Sequence, residues 1–359
     1  MTELARKLDA LRRAALRDGV GAVRLRGLDW TSWVGCGGSA AVLLAAETGV
    51  ADVLVSADGA WVLTDEIERA RLQAEELPPG LEMFAARWWD RGAADAFADR
   101  IRGAGALASD RPRPGERPLP PEVVALRRSL GPEELERYRA LGRDAAAAVS
   151  DVLRAARPDW TGFQLAGAAA GALWSRGVAP ALVLAGDARR LLLYRHPTPT
   201  SDRLGDRAML VVCARRHGLY ANLTRFVYFR DPTAEEARRG ADVTRIEAAA
   251  LDASRPGATL GAVLDALVAA YAAAGYAGEE ARHHQGGTCG YLSRDAVAVP
   301  GSTVPLEAGG AVAWNPSLPG AKVEDTFVIG ADGLENLTVD PRWPVERIAG
   351  RARPLPLVR

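Results

Sequence analysis

The stretch Asp110–Pro121, DRPRPGERPLPP, constrains this chain more than any other. It holds five prolines in twelve residues, each of which fixes φ and withdraws a backbone donor. A charged, proline-rich segment of this kind reads as an interdomain connection. It divides the 359 residues into an expected first domain, 1–122, and a second, 123–359. Two domains also suit the length.

Helix and strand patterns alternate in the first part. Leu4–Asp18 and Asp90–Arg102 read as helices, and Asp65–Glu76 as a polar helix capped by Thr64. Ala22–Arg26, Ala40–Ala46, Ala51–Ala57, Ala60–Leu63 and Leu81–Phe84 read as strands, and Leu28–Cys36 as a turn carrying Trp30 and Trp33. In the second part the helices are Glu133–Ala155, Thr161–Ser175, Thr233–Ala253 and Thr259–Ala274. The strands are Ala181–Ala185, Arg190–Tyr194, Ala208–Ala214, Tyr220–Phe229, Ala296–Val299, Gly310–Asn315 and Ala321–Ile329. Asn336–Arg359 reads as an irregular tail. The pattern is α/β throughout.

Lys+Arg and Asp+Glu each number 45, so the formal net charge is zero and no basic tract suits a nucleic acid. Three cysteines without paired spacing argue against a disulfide framework or a cysteine zinc site. The N-terminus is a charged amphipathic helix rather than a signal peptide, and no apolar run reaches the length of a membrane span. A soluble cytoplasmic protein is expected.

Only two lysines occur, Lys7 and Lys322, in a chain that otherwise uses arginine. A lysine kept inside the motif WNPSLPGAKVEDT suggests that a compact, rotatable ammonium is wanted there. If Ala321–Ile329 is one strand, Lys322 and Glu324 project from the same face, side by side. Such a pair is either a weak surface ion pair or part of a site. All four histidines lie in the second part and each adjoins a turn: His196, His217, and His283-His284 before Gln285-Gly286-Gly287. Glycines beside a double histidine allow close backbone approach of a ligand.

These stretches, in order, resemble the creatinase/aminopeptidase P/prolidase/methionine aminopeptidase superfamily, the pita-bread fold. The first part, with VLTDEIERARLQ, is similar to a creatinase N-terminal domain. PDWTGFQLA, His196, VVCARRHGLYANLTRFVYF, HHQGGTCGY and the WNP…KVEDTFVI strands are similar to the catalytic domain. The resemblance implies an α/β (α+β) fold, a creatinase-like N-terminal α/β domain followed by a pita-bread catalytic-type domain. It also implies hydrolysis of a C–N bond and a homodimer whose N-terminal domain walls the partner's site.

The departures bear on chemistry. Metallopeptidase members of the superfamily hold two divalent metals with two aspartates, a histidine and two glutamates. The resemblance places Asn222 at the second aspartate, Cys213 or a neighbour at the first, Gly287 at the histidine and Asn315 at the first glutamate. Glu324 alone keeps its type. One carboxylate and two amides would bind dications poorly. The expectation is therefore no metal and no other cofactor, with Lys322 and the amides of Asn222 and Asn315 as donors where the metals would sit. His196 and His283 match substrate-contacting histidines. With His284, Lys322 and Glu324 they form the expected catalytic set. Arg225 would anchor a substrate carboxylate or form a structural ion pair. Tyr220, Tyr291 and Trp314 would line the pocket or pack. Cys213 and Cys289 are either nucleophiles or small buried side chains. The expected activity is metal-independent C–N hydrolysis, or a related acid/base reaction, on a small amino-acid-like or short peptidic molecule, without nucleic-acid or membrane partners. A non-catalytic pseudo-peptidase binder and a dinuclear aminopeptidase P-like enzyme are the alternatives.

Overall fold

The computed structural model describes residues 1–359. They form two compact units, Met1–Glu134 and Leu135–Arg359.

The first unit is a six-stranded sheet in the order Glu82–Ala86, Ala60–Asp65, Thr48–Ser56, Val20–Gly27, Ala106–Ser109, Arg117–Pro118. Helices Glu3–Ala15 and Ala93–Arg102 accompany it. The proline-rich stretch does not hang between domains. Its Glu116 clasps the buried Arg26 guanidinium with two contacts of 2.6 Å, and Arg117–Pro118 closes the sheet edge. The residues after position 122 also stay with this unit, where Glu134 pairs with Lys7 at 2.8 Å.

Three local expectations fail here for identifiable reasons. Leu28–Val34 is a helix rather than a turn, and Trp30 and Trp33, three residues apart on it, bury against each other edge to face at 5.6 Å. Ala40–Ala46 forms no strand despite its apolar run, and Leu43 is 69% exposed. Thr64 stays in its strand and bonds Val50, while Asp65 accepts from the backbone of Ile67 and Glu68, which shortens the following helix.

The second unit joins a mixed sheet, antiparallel but for one edge strand, and an antiparallel sheet. One runs Leu357–Val358, Leu219–Tyr228, Arg207–Arg216, Ala179–Asp187. The other runs Ala296–Val297, Gly286–Cys289, Ala311–Trp314, Asp325–Ile329, Leu334–Asn336. A backbone bridge, Thr224 with Glu324, links them, beside the Asn222–Thr326 and Arg225–Asp325 contacts. Four helices, Pro132–Ala155, Gly162–Trp174, Ala234–Ala253 and Leu260–Ala273, belong to the expected pattern. Two start at capping boxes, Thr161 with Gln164 and Thr233 with Glu236. The main core packs Ile246, Leu251, Val263, Leu267 and Tyr271 against Trp314 and Phe327. No helix is long and apolar enough to cross a membrane.

Three further expectations are corrected in this unit. Arg190–Leu192 is a 3-10 turn, because the Asp187 carboxylate accepts from the backbone of Arg189 and Arg190. Ala321–Ile329 is not one strand. Ala321–Lys322 pairs with Ser317–Leu318, and Asp325–Ile329 pairs with Ala311–Trp314. The tail after Asn336 is ordered: Val345–Ile348 and Arg351–Pro354 form a hairpin, and Leu357–Val358 adds a parallel edge strand. Its anchor is Arg353, fully buried, with Nε and Nη2 on Glu247 at 2.7 and 2.6 Å and Nη1 beside Asp325 at 2.8 Å.

Candidate active site

The site follows from strand register. In Leu219–Tyr228, Asn222 and Thr224 share one face, with Cys213 and Val211 opposite them on the neighbouring strand. The Thr224 hydroxyl donates to Glu324 Oε2 at 3.0 Å, which fixes that face as the one Glu324 meets. In the other sheet Ala313 stands opposite Thr326, and continuing the register brings Asn315 opposite Glu324. Asn222, Asn315, Thr224 and Glu324 therefore converge where the sheets join.

Glu324 is buried with three partners: Arg294 Nη2 at 2.6 Å, Thr224 Oγ1 at 3.0 Å and Lys322 Nζ at 3.5 Å. Burial pushes its carboxyl up, but Lys322, Arg294 and the hydrogen bonds more than offset this and hold it at about 2. Glu324 is thus an anion between two cations. The adjacency of Lys322 and Glu324 is as expected, although the strand breaks between them.

Arg294 was invisible in the sequence. It lies in a loop, in a chain rich in arginine, thirty residues before its partner. Nothing in its surroundings distinguishes it. It also ties in Asn222: Arg294 Nη1 and Asn222 Nδ2 both donate to the Ser293 carbonyl, at 2.7 and 3.2 Å. The opposite end of that amide, Asn222 Oδ1, has no partner although the residue is fully buried. Asn315 Oδ1 is likewise buried and unpartnered. Lys322 Nζ has Glu324 as its one partner. Two acceptors and part of an ammonium are thus left over in one place.

His196, His283 and His284 lie together, and His217 lies apart from them. His196 Nε2 and His283 Nε2 are 3.0 Å apart, so one ring donates and the other accepts. His284 stacks beside His283, with ring centres 4.6 Å apart. His283 Nδ1 meets the Ser317 hydroxyl at 3.3 Å. Burial and then Lys322 lower His283 to about 2, and burial, Arg294 and Lys322 lower His284 to about 4. His196, which reaches solvent, is lowered by partial burial and by Lys322. Neutral imidazoles can give or take a proton, and their nitrogens, all within 4.8 Å, could also hold a metal ion.

Other expected site residues lie elsewhere. Arg225 points to the opposite side of its strand, where Asp325 at 2.7 Å and the carbonyls of Thr338 and Thr224 consume its guanidinium. Trp314 is fully buried in the helix-side core with Nε1 on Ser254 at 2.9 Å, so it packs rather than lines. Tyr291 is buried, while Tyr220 is half-buried with Arg215 over its ring. Cys213 and Cys289 are thiols pushed up to about 12 by burial, which removes the thiolate a nucleophile needs. His217 holds a left-handed turn position, with φ +55°.

Residues 136–331 match the metallopeptidase family M24. That span is more than half of the chain, and the chain belongs to this family. The fold is shared with dipeptidase PepE from Mycobacterium ulcerans at 22% identity and TM-score 0.77, covering 94% of this chain and 96% of that one. It is shared with the prolidase from Pyrococcus horikoshii OT3 at 17% identity and TM-score 0.77, covering 95% and 99%. It is also shared with the N-terminal domain of FACT complex subunit SPT16 from Cicer arietinum at 13% identity and TM-score 0.70, covering 94% and 96%. No curated protein sequence matches the chain.

Proposed function

We propose that this protein hydrolyses a C–N bond in a small amino-acid-like or short peptidic molecule, and does so without the paired metal ions of its family. One observation carries the reading: the last family carboxylate, Glu324, is already neutralised by Arg294 and Lys322, while the amide oxygens of Asn222 and Asn315 face no donor. The donor set supports it further. A dinuclear centre needs several carboxylates to balance four positive charges, and here one anion already has two cations. At Gly287, where the resemblance placed a ligand histidine, a Cβ would lie 2.0 Å from the Ala296 carbonyl oxygen, so no side chain fits.

In this reading the spare N–H groups of Lys322 bind an anionic or carbonyl oxygen of the substrate. The oxygens of Asn222 and Asn315 accept from its N–H groups. Leaving such acceptors unpaired costs about 1–3 kcal/mol each, which a matching substrate removes. The neutral His196–His283 pair moves the proton, once substrate closure brings a ring nitrogen within about 3 Å of the reacting atom. His284 lies beside them. A homodimer is part of the proposal and is checked by light scattering.

Two competitors remain testable. One is a binder that does no chemistry; the other is a metal-dependent enzyme, which the histidine trio favours. The experiment is amine-release and thermal-shift screening of amino-acid amides, ureido acids and dipeptides, with metal analysis of the purified protein. Turnover that survives chelation and is abolished in Lys322→Ala supports the proposal. Saturable binding without turnover supports the binder. Near-stoichiometric metal, with activity lost on chelation, overturns metal independence.

A further inference from the structure

A cavity of about 350 Å³ in the second unit is not lined by the histidines, the two asparagines or Glu324. It touches that cluster through Thr224 and Lys322, and otherwise lies among Phe226, Tyr228, Val243, Ile348 and Leu355, between helix Ala234–Ala253 and the C-terminal hairpin. We infer that it is a second binding site, for an uncharged apolar molecule of one or two fused rings.

Size, charge and helix sequence each support this. Ligand pockets span roughly 300–1,000 Å³, and an apolar void of about 150 Å³ suffices for benzene. The wall offers almost no free charge. Arg353 is held by Glu247 and Asp325, Arg225 by Asp325, Glu236 by Arg207 and Arg230, and Lys322 by Glu324. The exception is Glu346, which is exposed, makes no ion pair and repels an anion. Away from the Lys322 end, whose charge belongs to the Glu324 cluster, a charged ligand would lose water and gain no counter-charge.

The room itself is built into the helix. Positions 237, 240, 241 and 244 form one helical face, and the residues there are Ala, Gly, Ala and Thr. A Cβ at Gly240 would meet nothing within 4 Å. Glycine in the middle of a helix weakens it, so the open space is kept at the expense of local stability.

The test is equilibrium dialysis of the full chain with indole and with indole-3-acetate as probes, independent of any turnover. Indole is expected to bind saturably at one site, and the carboxylate analogue at least tenfold more weakly. Gly240→Leu fills the space while improving the helix, so its melting temperature should hold or rise while indole affinity drops at least tenfold. Gly167→Leu adds a side chain to equally open space on another helix and should bind indole as the parent does. Unchanged indole binding in Gly240→Leu overturns the proposal, as does tighter binding of the carboxylate. Should Gly240→Leu fail to fold, Ala241→Leu on the same face is read by the same criterion.

Discussion

Replacing Lys322 by methionine keeps the bulk of the stem and removes only its charge. At 3.5 Å and an effective dielectric near 20, the Lys322–Glu324 attraction is about 5 kcal/mol. Burying an ammonium costs several kcal/mol in the other direction, so at neutral pH the two nearly cancel. Glu324 also keeps Arg294 at 2.6 Å and Thr224 at 3.0 Å. The expected change in unfolding free energy near pH 7 is therefore within about 2 kcal/mol. The acid arm should change more. Glu324 sits at about 2 against an ordinary 4.5, a depression worth about 3 kcal/mol by linkage. Because the folded carboxyl is the stronger acid, that contribution is complete above the ordinary carboxyl range. It drains away as pH falls from about 4.5 to about 2. Without Lys322 the folded carboxyl moves back toward its unfolded value, so the variant has less to lose on the way down. Urea melts of both proteins near pH 7, pH 4 and pH 2.5 measure this as the difference between their acid slopes. Parallel acid arms would show that the ammonium does not act on Glu324. A loss beyond about 4 kcal/mol near pH 7 would show that Arg294 cannot hold the carboxylate alone.

Asn315→Leu removes a buried acceptor that has no partner, so it should stabilise the fold by up to about 1–2 kcal/mol in urea melts while weakening substrate or ligand binding. A destabilised variant would mean that the amide is bonded in solution. Arg353→Met strands Glu247 in the core, while Asp325 keeps Arg225, and should cost about 3–5 kcal/mol, read as a fall in the urea midpoint. A neutral result would show that the hairpin is not held by this ion pair. Cys213 and Cys289, with thiols pushed up to about 12, should resist iodoacetamide near pH 8 in the native protein by peptide mass mapping. Rapid labelling of either, with loss of turnover, would restore a nucleophilic role.

What the sequence disclosed was local. Thr161 with Gln164 and Thr233 with Glu236 mark helix starts because a capping box is closed within four residues. Lys322 and Glu324 could be placed together because period two carries across two residues even where the strand breaks. Long-range pairing was hidden. Arg353 looked like part of an irregular tail because its role depends on Glu247, 106 residues earlier, and on Asp325 in another sheet. Arg225 looked available because its partner Asp325 lies 100 residues on, although period two already sets it on the face opposite Asn222.

Arg294 matters most, because it changes the charge count. The sequence offered one ammonium for one carboxylate, a neutral pair complete in itself. The folded site has two cations around Glu324 and therefore an excess of one positive charge in a buried position. Such an excess is costly unless water or a ligand answers it. Histidines kept neutral beside it add nothing to the repulsion. A substrate that brings a carboxylate to Lys322 and N–H donors to the two idle amide oxygens corrects the charge and both unpaired acceptors at once. A dication in the same space would raise the excess from one charge to three. That charge count is the reason the proposed function takes an anionic molecule rather than a metal.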